Sequence, residues 1–185
     1  MFYYPNRPIL MPPDKQTIQN LEDSGSYIAE QKFNGDNITY KTSEKEFWNR
    51  DNTKSRYRAT PEVQKELNKF PKHSDINLEL MHYHEKTLKN ILIVHCIMVL
   101  EGHTLLGKTY EDSRKIIESF KYGEHVKLSI IYRKNFWNLF EQADGTITEG
   151  IVLKRLNGKI QFSTSPLADV PWMFKVRKPC KKYSF

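Results

Sequence analysis

Tyr27-Ile28-Ala29-Glu30-Gln31-Lys32-Phe33-Asn34-Gly35-Asp36-Asn37-Ile38-Thr39-Tyr40-Lys41-Thr42 is the stretch on which the reading of this chain turns. Tyr27 to Gln31 and Ile38 to Thr42 are short strand-like runs, and Lys32 to Asn37 between them supplies the Asn, Gly and Asp of a turn. The pattern predicts two strands with a lysine, Lys32, at a strand-to-turn junction.

On the N-terminal side, Pro5, Pro8, Pro12 and Pro13 mark residues 1–13 as an extended arm laid over the domain. Asp14 can cap a short helix that carries Ile18 and Leu21 and ends before Gly25. On the C-terminal side, Thr60-Pro61 opens a helix with Val63, Leu67 and Phe70 on one face. Ile76 to His82 and Asn90 to Leu100 read as strands, the second buried on both faces. Thr109 with Asp112 resembles a capping box for a helix through Ile116, Ile117 and Phe120 that stops at Gly123. Lys127 to Tyr132 reads as a strand and Asn135 to Ala143 as a short aromatic helix. Ile151 to Leu156 and Lys159 to Ser163 flank Asn157-Gly158, which predicts a hairpin with a type I′ turn. Strands interleaved with three or four helices make an α+β domain on antiparallel sheet.

The 185 residues suit one domain, 1–185. With 38% hydrophobic, 12% aromatic and 28% charged residues, the chain is too apolar and aromatic for a disordered tail. Its 29 Lys plus Arg against 22 Asp plus Glu give +7, a surplus that favours phosphates or anionic membranes over acidic protein partners. The longest apolar run, Ile91 to Leu100, is interrupted by His95 and falls short of the ~20 residues a membrane span needs. No signal peptide is expected, and Cys96 and Cys180 are too few for a disulfide framework. The expectation is a soluble, cytoplasmic monomer with no membrane partner.

Five segments carry chemistry, in this order: Glu30-Gln31-Lys32-Phe33-Asn34-Gly35-Asp36-Asn37; Trp48-Asn49-Arg50; Leu78-Glu79-Leu80-Met81; Glu149-Gly150-Ile151-Val152-Leu153-Lys154; and Trp172-Met173-Phe174-Lys175-Val176-Arg177-Lys178-Pro179. Together they resemble the nucleotidyltransferase motifs of the covalent superfamily of ATP-dependent DNA ligases, RNA ligases and mRNA capping enzymes. They run from Glu30 to Lys178, so coincidence is a poor explanation. The resemblance implies an antiparallel-sheet, ATP-grasp-like adenylation domain. Lys32 would attack the α-phosphate of ATP and hold AMP as a phosphoramidate, with Glu30, Asn34, Gly35 and Asn37 around the nucleotide. Arg50 would lie on its ribose and phosphate side, and Glu79 would reach the ribose hydroxyls. Glu149 would hold Mg²⁺ or Mn²⁺, Val152 would underlie the base, and Lys154 would contact phosphate. Lys175 and Arg177, two apart on a strand, point the same way and would clamp the α-phosphate.

Three details bear on that reading. Simple alternation puts Glu149, Ile151 and Leu153 on one strand face and Val152 and Lys154 on the other, so a twist at the strand end is needed to bring Glu149 and Lys154 together. Asn77-Leu78 replaces the usual Asp-Gly ahead of Glu79. His95-Cys96 stands where ligases carry an aromatic followed by Asp, which makes His95 the candidate to stack on the purine. His82-x-His84 shares a strand face but has no third ligand at recognisable spacing and reads as structure. A free lysine titrates near ~10.4, so the attacking amine must be made neutral by desolvation or by cations such as Lys154, Lys175 and Arg177.

DNA ligases and capping enzymes append an OB-fold domain after the last motif. Only residues 176–185 follow it here, so no OB-fold domain is expected. That basic tail, with Lys178, Lys181 and Lys182, is expected to touch nucleic acid. Ending the first motif in Asn37 leans toward RNA ligases, whereas Trp48-Asn49-Arg50 and the spacing of the last motifs look like small phage-type DNA ligases acting in the host cytoplasm. The expectation is an ATP-dependent ligase joining 3′-hydroxyl and 5′-phosphate ends or nicks of RNA or DNA. The alternatives are a small DNA nick-sealing ligase, a capping-type guanylyltransferase and a non-catalytic relative that binds nucleic-acid ends.

Overall fold

A computed structural model describes residues 2–81, 90–163 and 165–178. The elements are β1 (Arg7–Leu10), α1 (Lys15–Asp23), β2 (Tyr27–Phe33), β3 (Asp36–Lys41), β4 (Glu46–Asn49), α2 (Pro61–Leu67), β5 (Asp75–Leu80), β6 (Leu92–Leu100), β7 (His103–Thr104), α3 (Tyr110–Glu118), β8 (Val126–Leu128), β9 (Ile131–Tyr132), α4 (Phe136–Glu141), β10 (Thr148–Arg155) and β11 (Asp169–Arg177). They make an α+β fold of two sheets, one in the order β1-β11-β10-β2-β9, the other β4-β3-β5-β6-β7 with β8 beside β6. Pairing is antiparallel except for β1 with β11 and β6 with β8.

Local chemistry starts three of the four described helices. Asp14 accepts the Thr17 N–H at 2.7 Å, and the Thr60 and Thr109 side chains cap α2 and α3 in the same way. The fourth begins at Asn135 in the left-handed region with no cap of its own. The Glu22 carboxylate, reaching over from α1, accepts the Asn135 and Phe136 N–H groups instead, at 2.9 and 2.8 Å. Burial then fixes each helix to a sheet. Ile18 of α1 and Phe136, Leu139 and Phe140 of α4 join Ala29, Ile151, Leu153 and Val176 in one core. Val63 and Leu67 of α2 and Ile117 of α3 join the second sheet's Ile38, Leu78, Val94 and Ile97 in another. A smaller cluster of Ile28, Tyr110, Val170, Trp172 and Met173 lies apart from both. No helix among the described residues is long and apolar enough to cross a membrane.

Two expected elements are corrected. Asn157-Gly158 turns no hairpin, because neither residue has the positive φ that a type I′ turn demands. The chain after β10 bonds to the segment entering α3, with Tyr110 N–H to the Gly158 carbonyl at 2.7 Å and Ile160 N–H to that of Lys108 at 2.9 Å. The expected strand from Lys127 to Tyr132 is two strands in different sheets, β8 on β6 and β9 on β2. Arg114 of α3 binds the Ser129 hydroxyl and carbonyl at 3.1 and 2.6 Å, at the point where the chain leaves one sheet for the other. The helix after Thr60 also stops at Leu67, short of Phe70, which is still buried in the core. His82 and His84 lie outside the described residues.

The arm is a working part of the sheet. β1 runs parallel to β11, Met11 N–H bonds the Lys175 carbonyl at 3.0 Å, and Arg7 pairs with Asp169 at 3.2 Å. Just before β1, the Asn6 amide and the Gln161 backbone exchange two hydrogen bonds, at 2.7 and 3.0 Å.

Candidate active site

Three adjacent strands of the first sheet build one wall of a cleft. In β2–β10–β11 the register aligns Lys32, Gly150 and Arg177 in one row and Glu30, Val152 and Lys175 in the next. Gly150 has no side chain to separate its neighbours, and Lys32 and Arg177 converge on Glu149, with Arg177 Nη2 at 3.4 Å from Oε1. Glu149 joins them because the β10–β2 ladder skips a residue between Thr148 and Gly150. This bulge turns Glu149 off the Ile151–Leu153 face and into the cleft beside Val152 and Lys154. Only glycine suits Gly150, whose φ is +148° and whose Cβ, if present, would run into the Val176 carbonyl.

The second sheet supplies the opposite wall. Glu79 accepts the Gly35 N–H at 3.1 Å on one carboxylate oxygen and meets His95 Nε2 at 3.3 Å on the other. Asn37 and Asn77 exchange amide hydrogen bonds at 3.2 and 3.0 Å. A Cβ on Gly35 would strike the Leu80 carbonyl, so glycine is what lets the turn lie against β5. Asn34 is buried, and its amide bonds the Thr146 carbonyl at 3.0 Å, tying the turn to the loop that leads into Glu149.

The inner end of the cleft holds a buried charge cluster. Glu30 Oε1 takes Lys154 Nζ at 2.8 Å and the Tyr110 hydroxyl at 2.5 Å, with Arg114 at 3.9 Å. Burial pushes the Glu30 carboxyl up, but Lys154, His95 and the two hydrogen bonds together outweigh it and hold the group at about 2. Lys154 therefore stands in an ion pair at the inner end, two rows from Lys32, and not among the cations around Glu149. Nearer the mouth, burial first and then Arg7 and Arg177 push Lys175 down to about 8. Burial likewise lowers Arg50, whose Nε has no hydrogen-bond partner among the described residues.

The cleft encloses about 240 Å³ and gathers Glu30, Lys32, Gly35, Asn37, Arg50, Glu79, His95, Glu149, Val152, Lys154, Lys175 and Arg177 from the expected set. Asn34 braces the site from behind. Lys178 is committed elsewhere, donating to the Glu141 and Ala143 carbonyls at 2.6 and 2.5 Å where α4 ends. Lys181 and Lys182 lie outside the described residues. Among the described residues, no group of three or more His, Cys, Asp and Glu is placed to hold a metal ion by itself.

Sequence reasoning missed Tyr110 and Arg114. Their spacing of four puts both on one face of α3, so two polar side chains on a buried helix face were the available signal. It also missed Pro5, Asn6 and Pro8, which bring the arm to the cleft wall.

No family model matches the chain, and no curated protein matches it. Solved structures do. A mycobacterial DNA ligase D complexed with ATP and MES superposes with a TM-score of 0.69 at 14% identity, covering 95% of this chain and 60% of that one. This is the nucleotidyltransferase fold of ATP-dependent DNA ligases. A Lig E DNA ligase matches with a TM-score of 0.61 at 13% identity, over 96% of this chain and 70% of that one. Chlorella virus DNA ligase-adenylate matches with a TM-score of 0.51 at 15% identity, over 92% and 68%. The ligase fold thus accounts for nearly all of this chain, while the chain spans about three fifths of the mycobacterial enzyme's length.

Proposed function

We propose that this chain is the adenylylating core of an ATP-dependent polynucleotide ligase. The observation that carries the reading is that Lys32 and Arg177 converge on Glu149, with Lys175 in the next row of the same sheet, along one cleft. The Lys32 amine, having lost a proton, forms a bond to the α-phosphorus of ATP as the bond to pyrophosphate breaks, and pyrophosphate leaves. A terminal 5′-phosphate oxygen then takes the AMP and frees Lys32. Attack by a 3′-hydroxyl seals the phosphodiester and releases AMP. Lys175 and Arg177 flank the reacting phosphate and offset its charge, and positioning and electrostatics of this kind supply most of the catalysis in phosphoryl transfer.

A divalent cation fits this donor set, since Mg²⁺ and Mn²⁺ bound to nucleotides need only one or two protein carboxylates beside phosphate oxygens and water. Glu149 would hold it, and when bound it would neutralise charge on the triphosphate. Glu79, on the opposite wall, would accept from the ribose hydroxyls, and Val152 and His95 line the cleft. Lys154, expected on phosphate, is paired with Glu30 in this structure. Asn37, whose position leans toward RNA ligases, has its amide engaged by Asn77, and the fold neighbours are DNA ligases. A nicked DNA duplex is therefore the first substrate to try, beside RNA and mixed nicks.

Labelled ATP and GTP, each incubated with the protein and Mg²⁺, test the reading. Only ATP should give an acid-labile, hydroxylamine-sensitive adduct, and Lys32→Ala should abolish it while circular dichroism shows the protein still folded. An undiminished adduct in Lys32→Ala refutes the assignment, and GTP labelling would point to a capping-type enzyme.

A further inference from the structure

The N-terminal arm does more than lengthen the first sheet. β1 lies on β11 in that sheet, yet the residues around its start are fastened to the other wall of the cleft. The Asn6 amide shares its two hydrogen bonds with the backbone of Gln161, and Gln161 follows Ile160, which is buried in the second sheet's core. Tyr3 packs against that same core, its ring 6.2 Å from the ring of Phe162. Phe2 reaches β3, where Lys41 Nζ lies 5.7 Å from the Phe2 ring and 4.9 Å from the Trp48 ring on β4. Between these attachments and β11, Pro5, Asn6 and Pro8 line the cleft. The arm thus straps one wall to the other.

Its two halves are held differently. The β1–β11 ladder breaks between Pro8 and Ile9, where the partner jumps from Val170 to Phe174. Pro8 has no N–H to donate across the break. Beyond it, Ile9 and Leu10 pair with Phe174 and Lys175, and the Met11 N–H bonds the Lys175 carbonyl, which fixes that half to the sheet. Before it, the named tethers are the Asn6 bonds, the contacts of Arg7 with Asp169 and with the Leu167 carbonyl at 3.2 Å each, and the rings of Phe2 and Tyr3. Contacts this few and this near solvent open locally without unfolding the domain. Pro5 and Pro8 restrict the backbone between them, so the segment moves more as a rod than as a loose chain.

We propose that residues 2–8 gate the nucleotide cleft, with Asn6 as the positioning residue that latches them to Gln161, so that ATP enters and AMP leaves when this latch is undone. The inference rests on the ligase reading and adds control of nucleotide exchange to it. The tethers join protein groups to protein groups and so slow entry and exit alike. A side chain that merely touched the nucleotide would slow exit alone. Opening of a segment of this kind sets the turnover rate in many enzymes.

Stopped-flow binding and release of a fluorescent ATP analogue, mant-ATP, in EDTA so that no transfer occurs, tests the gate. The proteins are the unmodified chain, Asn6→Ala, Phe2→Ala/Tyr3→Ala, and Lys115→Ala as a surface control. Loss of the two Asn6 hydrogen bonds should raise the association and dissociation rates together, each about tenfold, and leave Kd within about threefold. Phe2→Ala/Tyr3→Ala, which touches no residue of the cleft lining, should shift both rates in the same direction, and Lys115→Ala should shift neither. Circular dichroism establishes that each variant is folded, and Phe2→Ala/Tyr3→Ala carries the test if Asn6→Ala is not. Unchanged rates in both arm variants, or a faster release with unchanged association, overturn the gate. An unmodified protein that binds no mant-ATP overturns the ligase reading and the gate with it, whereas normal binding with unaltered rates overturns the gate alone.

Discussion

Gly150→Ala perturbs the site without removing any functional group. At φ +148° the backbone conformation is one that L side chains rarely adopt, which costs about 1–3 kcal/mol. The added Cβ also meets the Val176 carbonyl and Arg177 Cα, both in a paired strand that cannot yield as a flexible side-chain tip would. That overpacking adds about 1–3 kcal/mol. A total of about 2–6 kcal/mol lowers the melting temperature by roughly 5–20 °C in a domain of this size. Gly145→Ala is the internal control, because Gly145 also has a positive φ, +76°, but nothing within 4 Å of its Cβ. It should lose only the strain part, about 1–2 kcal/mol. The bulge also aims Glu149, so relief of the clash by flattening it should turn the carboxylate away from Lys32 and Arg177. Circular dichroism melts of the three proteins measure the stability part, and ATP labelling well below all three midpoints measures the aim. If Gly150→Ala melts no lower than Gly145→Ala and labels normally, the bulge neither needs its glycine nor aims Glu149.

Two further predictions concern charge. Glu30→Gln leaves Lys154 buried without its carboxylate and should cost about 3–5 kcal/mol in urea unfolding. Because Glu30 is held at about 2 against an ordinary value of 4.5, the unmodified protein's advantage should be full above pH 4.5 and shrink as pH falls toward 2; an advantage that does not change with pH would remove Glu30 from the ion pair. Lys175, held at about 8, is mostly neutral at pH 8.5, and a bound triphosphate favours its charged form. ATP titration calorimetry in buffers of different ionisation heat should therefore detect proton uptake at pH 8.5, little at pH 6.5 and less in Lys175→Met; equal uptake in Lys175→Met refutes the assignment.

The sequence by itself determined what depends on neighbouring residues. Asp14, Thr60 and Thr109 cap helices because a side-chain oxygen three residues from an N–H needs no distant partner. Lys32 at a strand end, Glu79 on a strand and the shared face of Lys175 and Arg177 follow from period-two alternation, and the motif order named the nucleotidyltransferase fold. Tertiary structure decided wherever a long-range partner overrode the local signal. Asn157-Gly158 gave up its hairpin to backbone groups of the segment entering α3. The strand after Gly123 divided between two sheets beside Arg114. Alternation puts Glu149 and Lys154 on opposite faces of the strand and does not say which partner either one meets. A bulge set by pairing with a strand more than a hundred residues away turns Glu149 to Lys32, and Glu30 holds Lys154 at the other end of the cleft, since a buried charge goes to the partner that offsets its desolvation.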